Sequence, residues 1–210
     1  MQKKASKALI REVMQITHRK LVDHGYKKRS SQIFTLDLSS EFLGWLGLNR
    51  AVQRGDGSLA INPVIGVRYQ RLERILADLM DEEFHAYIPP TLSVNIGYLM
   101  PDNSYKTWSF FEKTNNLRIV DDMVAAIKKY GISFMDAMSN EDAILEALKV
   151  SDYSMPESRK FRLPLINYLR GDIEQARAEL MTTLEEVNNR EDMAAQYFRE
   201  FTQRLITILQ

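Results

Sequence analysis

"FLGWLGLNRAVQRGDGSLAINPVIGVRYQ", residues 42–70, reads as two β-strands around a Gly-Asp-Gly turn, and this reading decides the fold. Asp56-Gly57 suits the central pair of a type I′ hairpin, where both positions need positive φ. Val52 then faces Ile61, Leu48 faces Ile65 and Leu46 faces Val67, while Ala51 faces Asn62 and Trp45 faces Arg68. One face is apolar and the other mixed, as a sheet covered on one side requires. A loop one residue longer or shorter would put the two apolar rows on opposite faces. Gly55-Asp56 as the pair keeps the parity but sets Arg50 against Ile61, a poorer match. Pro63 points to an edge or a bulge in the second strand. The turn accounts for Arg54-Gly55-Asp56 completely, so an adhesion role for the tripeptide is not needed.

Further strands flank this pair. "SQIFTLDLS", residues 31–39, alternates Phe34, Leu36 and Leu38 with Thr35 and Asp37; "TLSVNIGYLM", residues 91–100, sets Leu92, Val94, Ile96, Tyr98 and Met100 against Ser93, Asn95 and Gly97. "SYKTWSFFEK", residues 104–113, follows the turn formers Pro101-Asp102-Asn103. Period-2 alternation with one apolar face describes antiparallel strands. Residues 5–24 form an amphipathic helix carrying Leu9, Val13, Ile16 and Leu21, with Gly25 at its C-terminal cap. A second helix, carrying Leu72, Ile75, Leu76, Leu79 and Met80, is inserted over residues 70–87 and ends before Pro89-Pro90. After Asn115 the pattern is helical: 117–130 closed by Gly131, 140–150, about 160–170, 172–188 and 190–209. Asp172 with Gln175 makes a capping-box-like start, and Tyr197, Phe201, Leu205 and Ile208 form the last apolar stripe. Strands first and helices afterward give an α+β fold. The expected organisation is an α+β sheet region over 1–113 and a helical region over 114–210 packed on it as one compact unit.

The chain has 210 residues, enough to bury a substantial core. Its formal charge is balanced at 28 Lys/Arg against 28 Asp/Glu, so no global field draws it to nucleic acid or anionic lipid. Residues 1–29 nevertheless carry nine Lys/Arg against Glu12 and Asp23. With no cysteine, disulfides, thiolate nucleophiles and zinc sites built on sulfur are excluded. The N-terminus has no continuous apolar region of a secretory signal, and no run approaches a membrane span, so a cytoplasmic protein is expected.

Candidate chemistry is sparse. Glu82 and His85 have the Glu-x-x-His spacing of carboxylate-bridged metal sites, but such sites need a second copy, and the sequence has none; no metal and no cofactor are expected. Serine-nucleophile elbows and phosphate-cradling glycine patterns do not occur. Two binding candidates remain. The basic stretch with Lys27, Lys28 and Arg29 can grip phosphates or an acidic partner. The mixed face of the sheet carries Trp45, Asn49, Asn62, Arg68 and Asn95, and is either covered by the C-terminal helices or open to a partner.

"LVDHGYKKRSSQIF" and "INPVIGVRYQRLERIL" resemble uncharacterised bacterial α+β proteins in which a helix leads through a Gly-aromatic-Lys/Arg stretch into a strand meander. The resemblance covers about residues 10–80. Some of those proteins lie in polymorphic-toxin neighbourhoods and are thought to act as immunity proteins, so the resemblance implies a binding protein in preference to an enzyme. The expected function is a non-catalytic protein-interaction module, immunity- or defence-associated, with another protein as partner. A nucleic-acid-associated protein using the basic N-terminal segment is the alternative, and an enzyme whose site assembles from distant residues is another.

Overall fold

The computed structural model describes residues 4–52, 55–150 and 152–210. The chain is an α+β protein. Its order is α1 (Lys7–Asp23), β1 (Lys27–Lys28), β2 (Ile33–Asp37), β3 (Phe42–Ala51), β4 (Leu59–Tyr69), α2 (Gln70–Met80), β5 (Leu92–Asn95), a 3₁₀ turn (Ile96–Leu99) and β6 (Trp108–Phe110). The helical half follows: α3 (Asn116–Ala126), a π turn (Ile127–Gly131), α4 (Ile132–Ala137), α5 (Glu141–Val150), α6 (Pro156–Leu169), α7 (Ile173–Val187) and α8 (Met193–Ile208). Two units result. Unit one holds residues 1–67 and 93–137, and unit two holds 68–92 and 138–210, so the division interleaves and does not fall at residue 113.

In unit one the strand order is β1-β2-β3-β4-β5, with β6 antiparallel to the start of β4 (Leu59 opposite Phe110, Ile61 opposite Trp108). β2 and β3 pair with Phe34 opposite Leu46 and Leu36 opposite Gly44, which aligns one apolar row across both strands. That row is covered by the helix after α3: Met135 lies so close to Gly44 that a Cβ there would stand 2.6 Å from its sulfur. Gly131, expected to stop a helix at 130, is buried within a helix that continues to Ala137; a Cβ on it would come within 3.0 Å of Ile65. The glycine serves close approach of backbone to sheet, and tertiary packing overrides its stop signal. α1 ends as expected: Gly25 takes φ 86°, with the N–H groups of Gly25 and Tyr26 bonded to Val22 and Leu21 carbonyls.

Two other expectations for unit one are corrected. Gln53 and Arg54 lie outside the described residues, and the facing pairs drawn through that loop, from Val52 and Ile61 to Trp45 and Arg68, depend on them. Among the described loop residues, positive φ falls on Gly55 (85°) and Gly57 (81°) and not on Asp56, so Asp56-Gly57 is not a type I′ pair. The Asp56 carboxylate instead accepts from the Ser58 N–H (2.8 Å) and hydroxyl (2.6 Å), an Asx turn. The strand expected to run to Met100 ends at Asn95, whose side-chain oxygen accepts from the N–H groups of Gly97 (2.9 Å) and Lys106 (3.1 Å) and curls the chain into the 3₁₀ turn. Tyr98 is thereby left half exposed.

Unit two is built on α2 and α5–α8. α6 and α7 form a hairpin punctuated by Gly171 at φ 80°, and Asp172 caps α7 by accepting from Gln175 N–H at 3.1 Å. Phe161, Phe198 and Phe201 meet edge to face or tilted, with centroids 5.0–5.9 Å apart. Arg204 donates to the Leu79 carbonyl at 2.7 Å, tying α8 to the end of α2. α2 stops at Met80, not at 87, because Asp81 adopts the left-handed conformation (φ 57°) and Glu82 N–H bonds back to Ala77. Residues 81–90 are consequently a loop, and Glu82 and His85 do not share a helix face.

Candidate functional site: a groove in unit two

The strongest concentration of buried charge lies where β4 runs into α2. Arg68, Glu73 and Arg162 are 2%, 4% and 5% exposed. Arg162 holds Glu73 bidentately, Nε to Oε1 at 2.7 Å and Nη2 to Oε2 at 2.9 Å, which is the strong, planar form of the pair. Thr91 donates its hydroxyl to Glu73 Oε1 at 2.7 Å and accepts from the Tyr69 N–H at 2.9 Å. Arg68 Nη1 lies 3.6 Å from Glu73 Oε2. Its remaining donors hold the 81–90 loop: Nη1 to the Pro89 carbonyl, Nη2 to the His85 carbonyl, and Nε to Gln70 Oε1 at 3.3 Å. Its guanidinium sits 5.3 Å from the Phe84 ring centroid, with Arg74 at 4.7 Å from the same ring.

Two guanidiniums therefore share one carboxylate. Burial draws the Arg68 guanidinium down to about 10; Glu73 raises it and Arg162 lowers it further. Nearby, the Tyr69 hydroxyl donates to Glu141, and burial together with that carboxylate pushes its pKa well up, so it stays a neutral donor.

This cluster forms one end of a groove. A cavity of about 320 Å³ is lined by Arg68, Glu73 and Arg162 and walled by Leu76, Phe84 and Phe161. A second cavity of about 470 Å³, more apolar, is walled by Val187, Met193, Ala194 and Phe198. Glu157, Phe161 and Tyr197 line both, so the two adjoin. Met193 is 85% exposed and Tyr197 43%, an unusual display of apolar surface beside a pocket. Carboxylates ring the opening: Glu82 accepts from the Tyr197 hydroxyl at 2.8 Å, and Glu83 and Glu157 are exposed. The cations nearby are already engaged, Lys160 with Glu186 at 3.3 Å and Arg190 with Asp192 at 2.8 Å.

The residues singled out from the sequence are not gathered into one site. Lys27 pairs with Asp37 across β1 and β2, and Lys28 is exposed beside it. Arg29 Nε donates to Thr35 at 2.9 Å, and Thr35 lies opposite Trp45, so these three do neighbour one another. Trp45 folds over Gly47, and among the described residues its buried indole N–H has no hydrogen-bond partner. Asn49 is exposed. Asn62 bonds the Tyr105 hydroxyl, and Asn95 is spent on capping the 3₁₀ turn. Arg68 belongs to unit two and is buried, not displayed on an open sheet face.

The groove itself was missed. On α2 and α8, Leu72, Leu79, Phe201 and Leu205 fill the core while Leu76, Met80 and Tyr197 line the groove, and apolar spacing alone does not separate the two sets. Among the described residues no group of His, Asp and Glu could hold a metal ion, and no helix is long and apolar enough to cross a membrane. Set against protein-family models, curated proteins and solved structures, the chain matches none of them.

Proposed function

We propose that the protein is a non-catalytic protein-interaction module, and that the groove of unit two is its docking surface. The observation that carries this reading is the pair of adjoining cavities with Met193 and Tyr197 exposed beside them and the carboxylates Glu82, Glu83 and Glu157 along them. Exposed apolar surface rimmed by polar groups marks interaction sites. The sign of the rim selects the partner: a segment with apolar anchors and flanking Lys or Arg gains from the carboxylates, whereas an acidic segment or a nucleic-acid backbone is repelled. The charge of the unit agrees, with twelve Lys/Arg against eighteen Asp/Glu in residues 68–92 and 138–210. Neutralising a toxin, or serving a defence system as an accessory, is the role that the resemblance of residues 10–80 favours for such a module.

A random peptide library displayed against the full chain tests the reading. Selected peptides are expected to combine aromatic or aliphatic anchors with Lys or Arg. Their binding is expected to fall at least about tenfold in Met193→Glu, which places a charge among the anchors. Selected peptides that bind Met193→Glu as well as the unaltered chain would place the docking surface elsewhere, and enrichment of acidic peptides would reverse the proposed complementarity.

A further inference from the structure

We infer that the inner end of the groove is a carboxylate subsite, in which the open end of the Arg162 guanidinium receives the C-terminal carboxylate of the docked partner segment. The inference rests on the docking reading above and deepens it.

A guanidinium offers two forks, one from Nε and one Nη, the other from the two Nη atoms. In Arg162 the first fork is filled: Nε and Nη2 hold the two oxygens of Glu73. The second is open, because Nη1 has no acceptor among the described residues, although the side chain is 5% exposed and lines the cavity. A donor that lines a cavity and meets no acceptor among the described residues is one whose hydrogen bonding a ligand or water completes.

Charge points the same way. Arg68 and Arg162 carry two positive charges at the inner end and Glu73 one negative charge, so the buried cluster keeps one cation uncompensated. Arg68 is not itself the receptor, since each of its nitrogens already faces Gln70, Pro89, His85 or Glu73. Its charge acts on whatever anion approaches Arg162. One free fork and one excess charge match a planar, singly charged carboxylate. A doubly charged phosphate fits less well, because Glu82, Glu83 and Glu157 stand at the opening.

The surroundings then identify the source of the carboxylate. In the same cavity Leu76, Phe84 and Phe161 offer apolar wall for one side chain, and the larger apolar cavity adjoins it at Phe161 and Tyr197. A chain terminus presents these elements in order: a carboxylate, an apolar last side chain, and upstream residues that pass the acidic rim, where Lys or Arg is favoured. Free small carboxylates would use the fork but leave the rest of the groove empty.

The probes are acetyl-Lys-Lys-Ala-Leu-Phe as the free acid and as its C-terminal amide, titrated into the full chain by fluorescence anisotropy. The free acid is expected to bind about tenfold tighter than the amide, the worth of one charge-assisted contact in a dry site. In Arg162→Lys, which keeps a cation for Glu73 but has no fork, that preference is expected to shrink below about threefold. The acid-against-amide comparison on the unaltered chain needs no variant, so it holds even where Arg162→Lys folds poorly. Equal binding of acid and amide would overturn the carboxylate subsite and leave the groove as a docking surface. A preference retained in a folded Arg162→Lys would overturn the assignment to Arg162. Failure of both peptides to bind would remove the docking reading together with the subsite.

Discussion

The two units handle charge in opposite ways. Unit one carries sixteen Lys/Arg against ten Asp/Glu, unit two twelve against eighteen, so a chain with no net charge is made of a basic and an acidic part. In unit one the charges stay at the surface, as in the pair of Lys20 with Asp121 at 2.6 Å, and the interior is held by apolar rows and glycine close approaches. In unit two charge goes inside, where Arg68, Glu73 and Arg162 hold a loop and two helices with almost no exposure. A surface pair is solvated before and after folding and contributes little; a buried cluster is costly to assemble and more costly to break. Surface pairs such as Lys20 with Asp121 are therefore replaceable at little cost, and the buried cluster of unit two is not.

The largest expected effect is at Glu73. Glu73→Ala leaves two guanidiniums buried without their carboxylate and is expected to cost about 3–5 kcal/mol. Urea unfolding followed by circular dichroism reads it, and a loss below about 1 kcal/mol would mean that water already reaches the cluster. Unit one should show its largest single-residue sensitivity in packing. At Gly97 an added Cβ would run into the Ser104 carbonyl oxygen, backbone that a rotamer change cannot move aside. Gly97→Ala is expected to destabilise by about 1–3 kcal/mol, and a neutral result would show that the 3₁₀ turn yields easily.

Smaller again is a pH effect at the start of α8. The Asp192 carboxyl is held at about 2, below its ordinary 3.8, chiefly by its hydrogen bond from Arg190 and then by the N–H groups of Ala195 and Ala194. A lowered carboxyl pKa contributes stability that is complete above the ordinary value and lost as pH falls through the folded one. Amide resonances of Ala194 and Ala195 are thus expected to change between pH 4 and pH 2, and an unchanged pair would remove the cap. Least of all, Asp121→Asn should cost under about 1 kcal/mol, and a larger loss would mean that unit one relies on surface charge after all.

Much of this contrast could be read in the sequence, and its most consequential part could not. The α1 stripe, the core strands and the Asp172 cap follow from local periodicity and capping chemistry. Arg68 read as a residue of a mixed sheet face because alternation gives its side but not its depth. Its burial depends on the Glu73–Arg162 pair, whose members are 89 residues apart in sequence, and on loop carbonyls at His85 and Pro89 that exist only once α2 has ended at Met80. Gly131 failed as a stop signal for the same kind of reason, since Ile65 lies beyond any local window. The groove was hidden because stripes on α2 and α8 look alike whether every residue is buried or three are left over.

The path of the chain also governs how the protein can be made. It crosses between the units after residues 67, 92 and 137, so neither unit is one continuous stretch. A ribosome completes the residues of unit one while α2, with Leu72 and Leu79, still lacks α6 and α8. A product cut short at residue 137 would carry α2 without α6 and α8, and Glu73 without Arg162. Neither unit can be released by a single cut, and the packing partners of α2 are the last part of the chain to be made.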